Sequence, residues 1–219
     1  HLPIVQGGDH CLAVGSISAV ARHCREQGKP LRVLWFDAHA DFNTASITPS
    51  GNLHGMPVAC LLGHGPAGLT GMAGSTPALS HDEVRQVGLR SVDQGEKHLL
   101  REVGIECYDM RRLDEIGMRK TMKKVLEDLP EDAHLHVSLD LDFIDPDIAP
   151  GVGTPVRAGP TYREASLCME MIADTGRLGS IDIVELNPAL DHRNATAELA
   201  VDLIESLFGK STLLHMDRS

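Results

Sequence analysis

Two strand-like apolar runs, at residues 31–36 and 133–139, each lead directly into a short stretch that contains two or more aspartates. Runs of this kind indicate strands that are buried on both faces, as in a parallel sheet covered by helices. The aspartates would then stand at the carboxyl ends of their strands, which is the edge where open α/β sheets bind ligands. The two runs therefore predict a fold class and the place of a functional site.

The rest of the chain alternates apolar strand-like runs with helical patterns, which is typical of βαβ units and a parallel sheet. We predict strands near 2–6, 32–37, 84–89, 105–108, 133–139 and 178–185. We predict helices near 12–27, 55–62, 95–103, 116–129, 161–175 and 195–208, with a long glycine-rich loop over 63–80. The 219 residues, of which 42% are apolar, suffice for one domain with a substantial core. The expected fold is α/β: a single three-layer α/β/α domain, residues 1–219, with a central parallel sheet.

The spacing of the acidic residues predicts that they converge. Successive side chains of a strand point to opposite faces, so Asp37, His39 and Asp41 project to one side. Asp140 and Asp142 do the same in the second stretch. Four carboxylates brought together would repel one another and resist burial, unless cations neutralise them or protons bind. The alternative is a set of solvated acids at the strand ends.

A third stretch, Gly7-Gly8-Asp9-His10, adds an imidazole after the first predicted strand. Two divalent cations would balance the four negative charges. A ligand set that is rich in oxygen, with two imidazoles and no thiolate, suits manganese better than zinc. Two such ions about 3.5–4 Å apart activate a water molecule at neutral pH, so hydrolysis is the predicted reaction type.

These motifs carry a resemblance to a known family. The three stretches are, in chain order, Gly7-Gly8-Asp9-His10, Asp37-Ala38-His39-Ala40-Asp41 and Ser138-Leu139-Asp140-Leu141-Asp142. In this order they resemble the motifs of the ureohydrolases, a family of arginases, agmatinases and their relatives. The segments that resemble the arginase branch are Ser50-Gly51-Asn52-Leu53-His54-Gly55 and Val92-Asp93-Gln94-Gly95-Glu96. Further matches are Gly153-Thr154-Pro155, Thr161-Tyr162-Arg163-Glu164 and Asp182-Ile183-Val184-Glu185-Leu186-Asn187-Pro188. The resemblance runs from about residue 3 to about residue 209, and it implies an arginase/deacetylase-like fold with two Mn²⁺ ions per subunit.

The resemblance also implies which residues bind the metal ions. One manganese would be bound by His10, Asp37, Asp41 and Asp140, and the other by Asp37, His39, Asp140 and Asp142. Asp37 and Asp140 would therefore bridge the two ions. The neighbouring Asp9 and Asp145 are expected to orient ligands or to serve the structure.

Three residues would carry the catalytic steps in a protein of this family. Glu185, at the end of an apolar strand, would bind a planar guanidinium. A hydroxide that bridges the metals and is hydrogen-bonded to Asp41 would attack the guanidinium carbon, and Asp41 would then protonate the leaving amine. His54 would exchange protons with solvent.

Five polar residues resemble the family's receptors for the rest of the substrate. Asn43, Thr48 and Ser50 would bind the α-carboxylate, and Asp93 and Glu96 the α-amino group; the alternative is ordinary polarity of loops and helix caps. The predicted function is the manganese-dependent hydrolysis of L-arginine to L-ornithine and urea. Two alternatives remain open: an agmatinase or guanidinobutyrase, whose substrate lacks the α-carboxylate, and a catalytically silent, metal-stabilised subunit or fragment.

Charge and composition limit the classes of partner that we expect the protein to bind. The formal charge of −11 argues against a nucleic-acid partner, because phosphate binding needs basic residues, and it suits a small cationic substrate. No run approaches the ~20 apolar residues of a membrane helix, so we expect no membrane partner. Five scattered cysteines without a CxxC pair indicate reduced thiols and a cytoplasmic location. The family resemblance implies a homotrimer or homohexamer.

The resemblance further predicts that the chain is an N-terminally truncated copy. Members of the family usually have additional strands and helices before the stretch that corresponds to Gly7-Gly8-Asp9-His10. The strand at 2–6 would then be left at an uncovered edge of the sheet, which favours aggregation.

Overall fold

A computed structural model describes residues 1–213 of the chain. One sheet of six parallel strands runs through it in the order β1-β6-β5-β2-β3-β4. The strands are β1 Ile4–Gln6, β2 Leu31–Phe36, β3 Val84–Leu89, β4 Glu106–Asp109, β5 His134–Asp140 and β6 Leu178–Val184. The helices are α1 Ala13–Gln27, α2 Pro57–Leu61, α3 Ala67–Thr70, α4 Gln94–Val103, α5 Met110–Ile116, α6 Met118–Val125, α7 Tyr162–Ala173 and α8 Ala195–Leu207.

The helices form a layer on each face of the sheet. In β2, Val33 and Trp35 face a core that includes Ile17 of α1 and Leu61 of α2. The alternate residues of the same strand, such as Leu34, face a second core built with α6, α7 and α8. Because helices cover both faces, every position of β2 except Arg32 is buried, as the apolar run predicts. The predicted three-layer α/β/α fold is confirmed.

The register between β2 and β5 determines where the acidic residues meet. These strands are paired in parallel from Leu31 with His134 to Phe36 with Leu139. The residues that come next in the two strands, Asp37 and Asp140, are therefore level with each other at the carboxyl edge of the sheet. The two acidic stretches meet because their strands are neighbours in register.

Two predicted elements are wrong in detail. The helix predicted over 116–129 is the shorter α6, and α5, just before it, was not predicted; Gly117, with φ 82° and ψ 147°, separates the two helices. A helix cannot continue through this conformation, which favours glycine because it lacks a Cβ atom. The predicted loop over 63–80 contains the short helix α3.

The helices of residues 1–213 are all too short to span a bilayer. The longest, α1, has 15 residues, whereas a membrane-spanning helix needs about 20 consecutive apolar residues. No helix in the described part of the chain is long and apolar enough to cross a membrane.

Candidate active site

Three chain segments supply the predicted metal ligands at the carboxyl edge of the sheet. Asp37, His39 and Asp41 follow β2, while Asp140 ends β5 and Asp142 lies in the short 3₁₀ turn after it. His10 follows β1, in a 3₁₀ turn that Asp9 caps by accepting the backbone N–H of Cys11. The structure brings all six predicted ligands into two adjoining clusters.

The first cluster surrounds the imidazole of His10. Its Nδ1 atom lies 3.1 Å from Asp140 Oδ2, 3.2 Å from Asp37 Oδ2 and 3.3 Å from Asp41 Oδ2. His10 and the three carboxylates are almost completely buried. Ligand atoms of His10, Asp37 and Asp140 lie close enough together to hold one cation.

The second cluster surrounds the imidazole of His39. Its Nδ1 atom lies 3.0 Å from Asp142 Oδ2 and 3.4 Å from Asp37 Oδ1. These three residues also form a group that could hold a cation. Asp37 belongs to both clusters, because its Oδ2 faces His10 and its Oδ1 faces His39. The arrangement therefore provides two adjacent cation positions that share one carboxylate.

Burial and mutual repulsion shift the ionisation of this centre. Burial raises the pKa of Asp41 well above its usual value, and the charge of Asp37 adds to the effect. Burial raises the pKa of Asp140 and of Asp142 as well, again with help from neighbouring carboxylates. Burial alone would also raise the pKa of Asp37, but hydrogen bonds with the two imidazoles hold it below its usual range. Burial alone would lower the pKa of His39, but hydrogen bonds to Asp142 and Asp37 raise it to about 11. The carboxylates stay together only by sharing protons or by binding cations.

The surroundings of one carboxylate oxygen indicate that the first cluster can accommodate a cation. Asp41 Oδ2 is buried and has no hydrogen-bond partner within the described residues, although His10 Nδ1 lies 3.3 Å away. A single Nδ1 proton cannot serve three carboxylates at once, so Asp41 is left without a partner. Its backbone also has a φ of 51°, a conformation that is sparsely populated outside glycine. An unpartnered buried carboxylate oxygen beside further carboxylates and an imidazole is the environment that a divalent cation requires.

Three contacts that position the ligands were not predicted from the sequence. Trp35 donates its Nε1–H to Asp37 Oδ2 at 2.9 Å, and Ser138 Oγ lies 2.9 Å from Nε2 of His10. Thr154 donates its hydroxyl to Asp142 Oδ2 at 3.0 Å. Such partners fix the orientation of metal ligands. The signals in the sequence are the spacing of two between Trp35 and Asp37 and between Ser138 and Asp140, and the place of Ser138 and Thr154 in the family motifs.

A cleft of about 120 Å³ opens over the two clusters. Within the described residues it is lined by His10, His39, Asp41, Asn43, Ser50, His54, Gly55, Ser91, Asp93, Glu96, Asp140, Thr154 and Glu185. The three predicted catalytic residues and four of the five predicted substrate receptors are in this set. Thr48 is not, and its hydroxyl instead accepts the backbone N–H of Gly51 at 3.0 Å.

Glu185 and His54 lie next to each other at the wall of this cleft. Glu185 follows β6 and has a φ of 65°, which turns the chain out of the strand. Its Oε1 accepts the backbone N–H of His10 at 2.8 Å, and burial raises its pKa. Nδ1 of His54 lies 4.0 Å from Glu185 Oε1, and its side chain is 31% exposed. His54 thus has contact with both the carboxylate and the solvent.

Asn43, Asp93 and Glu96 form a linked group on another wall. Asn43 donates its side-chain amide to Asp93 Oδ2 at 2.9 Å, while its own Oδ1 is buried without a partner. Glu96 accepts the backbone N–H of Phe42 on one oxygen and that of Asp93 on the other. Asp93 and Glu96 also form the capping box of α4. Glu96 is buried and its oxygens hold backbone groups, whereas Asp93 is exposed at the cleft. Asp93 and the unpartnered Asn43 Oδ1 are therefore the groups more open to a ligand.

Comparisons with known proteins agree with this geometry. The sequence model of the arginase family matches residues 1–209. The arginase of Bacillus caldovelox is 48% identical over 212 residues, which cover 96% of this chain and 70% of that protein. The arginase of Bacillus subtilis (strain 168) is 46% identical over 211 residues, with the same shares of the two chains.

A solved structure supports the same relationship. The native structure of arginase from Bacillus caldovelox has a TM-score of 0.92 at 47% identity, and the match covers 97% of this chain and 70% of that chain. The family model covers nearly the whole chain, and the relatives share almost half of its residues. This chain therefore belongs to the arginase family.

Proposed function

We propose that this protein is a manganese-dependent hydrolase that converts L-arginine to L-ornithine and urea. The observation that carries the proposal is the placement of Glu185 in one cleft with two clusters of metal-ligating residues. A carboxylate that suits a guanidinium thus lies beside a centre that suits two divalent cations. The match to arginases supports the same conclusion.

Six residues would hold the two cations. His10, Asp37, Asp41 and Asp140 would hold one, and Asp37, His39, Asp140 and Asp142 the other. Manganese is the proposed metal because four carboxylates and two imidazoles make an oxygen-rich ligand set. When bound, the two ions would supply a water-derived nucleophile at neutral pH.

Glu185 would bind and orient the guanidinium of the substrate. A carboxylate pairs with this planar cation through charge-assisted hydrogen bonds, which fix both distance and orientation. Its partial burial strengthens such a pair, because fewer water molecules compete for the carboxylate. The guanidinium carbon would then face the ligand clusters.

Asp41 and His54 would move the protons. The unpartnered Asp41 Oδ2 is available to accept a hydrogen bond from the nucleophile and then to deliver its proton to the leaving amine. His54, partly exposed and close to Glu185, would exchange protons between the cleft and the solvent. Of the two proton-transfer groups, Asp41 thus lies at the buried end of the cleft and His54 at its exposed end.

The other end of the substrate would be recognised by polar residues around the cleft. Asn43, Thr48 and Ser50 are proposed for the α-carboxylate, with Asn43 and Ser50 at the cleft wall and Thr48 beside it. Asp93 is the stronger candidate for the α-amino group. Glu96 would act mainly by holding Asp93 and Phe42 through their backbone N–H groups.

The alternatives differ from this proposal at specific residues. An agmatinase or guanidinobutyrase has no use for receptors of an α-carboxylate, so the side-chain donors of Asn43 and Ser50 at the cleft wall favour an amino-acid substrate. A catalytically silent subunit has no need of Glu185 and His54 in a cleft above metal ligands. The cytoplasmic location, the homotrimer or homohexamer and the single domain over 1–219 stay predictions from the sequence.

Identification of the products tests the proposal. The Mn²⁺-loaded protein is incubated with L-arginine, and urea, ornithine, citrulline and ammonia are each quantified. We expect urea and ornithine in equal amounts. Citrulline with ammonia would show a different reaction at the guanidinium, and the absence of any turnover would favour the silent subunit.

A further inference from the structure

A third group of metal-ligating side chains lies at the wall of the cleft, apart from the two clusters that share Asp37. It consists of Asp9, His54 and Glu185, whose ligand atoms all lie within 4.8 Å of one another. His54 Nδ1 is 3.5 Å from Asp9 Oδ2 and 4.0 Å from Glu185 Oε1. The group thus offers one imidazole nitrogen and two carboxylates to a common point.

These distances suit a small first-row cation. Ligands about 2.0–2.2 Å from a tetrahedral ion are separated from each other by about 3.3–3.6 Å. The spacing of His54 and Asp9 already falls in this range, and that of His54 and Glu185 is a few tenths of an ångström longer. Asp9 is 53% exposed and His54 31% exposed at the side chain, so both have room to close on an ion.

Backbone contacts hold the two carboxylates towards the imidazole. Asp9 Oδ1 accepts the backbone N–H of Cys11 at 2.9 Å, which leaves Oδ2 directed at His54. Glu185 Oε1 accepts the backbone N–H of His10 at 2.8 Å. Two of the three ligands are therefore oriented before any ion binds, which lowers the entropic cost of binding.

We propose that Asp9, His54 and Glu185 form a third cation site, for Zn²⁺ or a similar divalent transition metal, and that occupation of this site inhibits the enzyme. One imidazole, two carboxylates and an open position towards solvent match the ligand sets of zinc sites. Zinc also binds such mixed nitrogen and oxygen sites more tightly than manganese does. Zinc reaches this exposed group directly, whereas the inner carboxylates and His10 are buried, so the outer site should fill without exchange of the inner manganese.

Inhibition follows from the residues that are engaged, and this step rests on the proposed function. Zn²⁺ on Glu185 would occupy one oxygen of the carboxylate and place its positive charge beside the position of the guanidinium, which repels that cation. His54, with Nδ1 bound to an ion, loses an atom that it needs for proton exchange. Zinc and arginine should therefore exclude each other, so that zinc raises the apparent KM for arginine.

The experiment measures metal binding directly. The full chain is loaded with Mn²⁺, freed of excess metal and dialysed against graded Zn²⁺, and both metals are counted by elemental analysis. We expect one Zn²⁺ per chain to bind with the Mn²⁺ content unchanged. Asp9→Asn, which keeps an oxygen for the N–H of Cys11, should weaken zinc binding by at least about tenfold.

Asp145→Asn is the matched control, because Asp145 is also a loop aspartate that accepts backbone N–H groups, from Asp147 and Gly159. It should leave zinc binding unchanged. Replacement of Mn²⁺ by Zn²⁺ one for one, or equal zinc affinity in Asp9→Asn and the unaltered chain, would overturn the third site. Zinc binding is measured without arginine, so these results test the third site even if the protein does not hydrolyse arginine. A failure of the proposed function is therefore distinguishable from a failure of the third site.

Discussion

The indole ring of Trp35 stacks on the imidazole of His10, with ring centroids 4.0 Å apart and planes inclined by 8°. The same indole donates its Nε1–H to Oδ2 of Asp37. One fully buried side chain of β2 thus contacts two of the proposed metal ligands, which come from different parts of the sequence. Trp35 therefore links the packing of the core to the geometry of the metal centre.

We expect Trp35→Phe to weaken Mn²⁺ binding by about tenfold, since a lost hydrogen bond to a metal ligand has an effect of this size. The smaller ring should also lower the free energy of unfolding by about 1–3 kcal/mol. Metal affinity is measured by competition with a chelating dye, and stability by urea unfolding. Phe36→Leu is the control, because Phe36 is equally buried but packs on Phe143 in the opposite layer. It should reduce stability and leave metal affinity unaltered; an equal loss of affinity in both variants would contradict the role of Trp35.

Glu185→Gln should lower kcat/KM for arginine by about 100-fold, or about 2.7 kcal/mol of transition-state stabilisation. Glutamine has nearly the same shape and still accepts the N–H of His10, but it lacks the charge that attracts a guanidinium. Steady-state urea release measures the effect, and metal content is determined on the same samples. Full activity with normal metal content would show that Glu185 does not bind the guanidinium.

Removal of metal should make the stability of the protein depend on pH. Burial raises the pKa of Asp41, Asp140 and Asp142 in the folded state, and the pKa of His39 is raised to about 11. A group whose pKa is higher in the folded state contributes stability at low pH and loses it as pH rises towards the folded pKa. The metal-free protein should therefore begin to lose stability above about pH 4, the ordinary pKa of an aspartate, and should lose the contribution of His39 between about pH 6.5 and about pH 11.

Bound Mn²⁺ needs deprotonated ligands, so its stabilising effect should increase over the same interval. The measurement is the Tm of metal-free and Mn²⁺-loaded protein across the pH series. Asp41→Asn removes one of the raised acids, and its metal-free form should show a weaker pH dependence. A constant difference in Tm at all pH values would argue against a shared set of buried carboxylates as the metal site.

Arginine should exceed agmatine in kcat/KM by at least about 100-fold, because a site built to bind polar groups rejects an analogue that leaves them unpaired. Ser50→Ala should reduce this preference by weakening arginine alone, because Ser50 is proposed for the α-carboxylate that agmatine lacks. Asp93→Asn should weaken both substrates, because agmatine keeps the amino group; asparagine also serves as a helix N-cap, so this variant keeps the start of α4 intact. The two substrates are compared with each variant at matched metal content. Equal turnover of both substrates by the unaltered protein would favour an agmatinase.

The strands and the convergence of the six proposed metal ligands could be predicted from the sequence because their signals are local. The apolar run of β2 and the spacing of Asp37, His39 and Asp41 lie within eleven residues, and period-two alternation predicts a shared direction. In the structure the three residues follow the end of β2, and the φ of 51° at Asp41 turns the chain back to the same centre. The parallel direction of the strands then follows from βαβ connections. The placement of β5 beside β2 brings Asp140 level with Asp37.

The contacts that complete the site could not be predicted in this way. Trp35 and His10 are 25 residues apart, and Ser138 and His10 are 128 apart; such pairs depend on how α1 packs against the sheet. The boundary between α5 and α6 depends on one glycine, Gly117, near the start of the predicted helix. A glycine inside a helix costs only about 1 kcal/mol relative to alanine. Packing against the rest of the protein therefore decides whether the helix ends there.

The most direct test of the two-cation centre is urea release from arginine while metal-free protein is titrated with Mn²⁺ and bound metal is counted on the same samples. Because Asp37 lies in both clusters and the proposed reaction uses both positions, activity should be absent without metal and reach its maximum at two Mn²⁺ per chain. Urea release from exhaustively metal-free protein, or full activity with one ion per chain, would contradict the account.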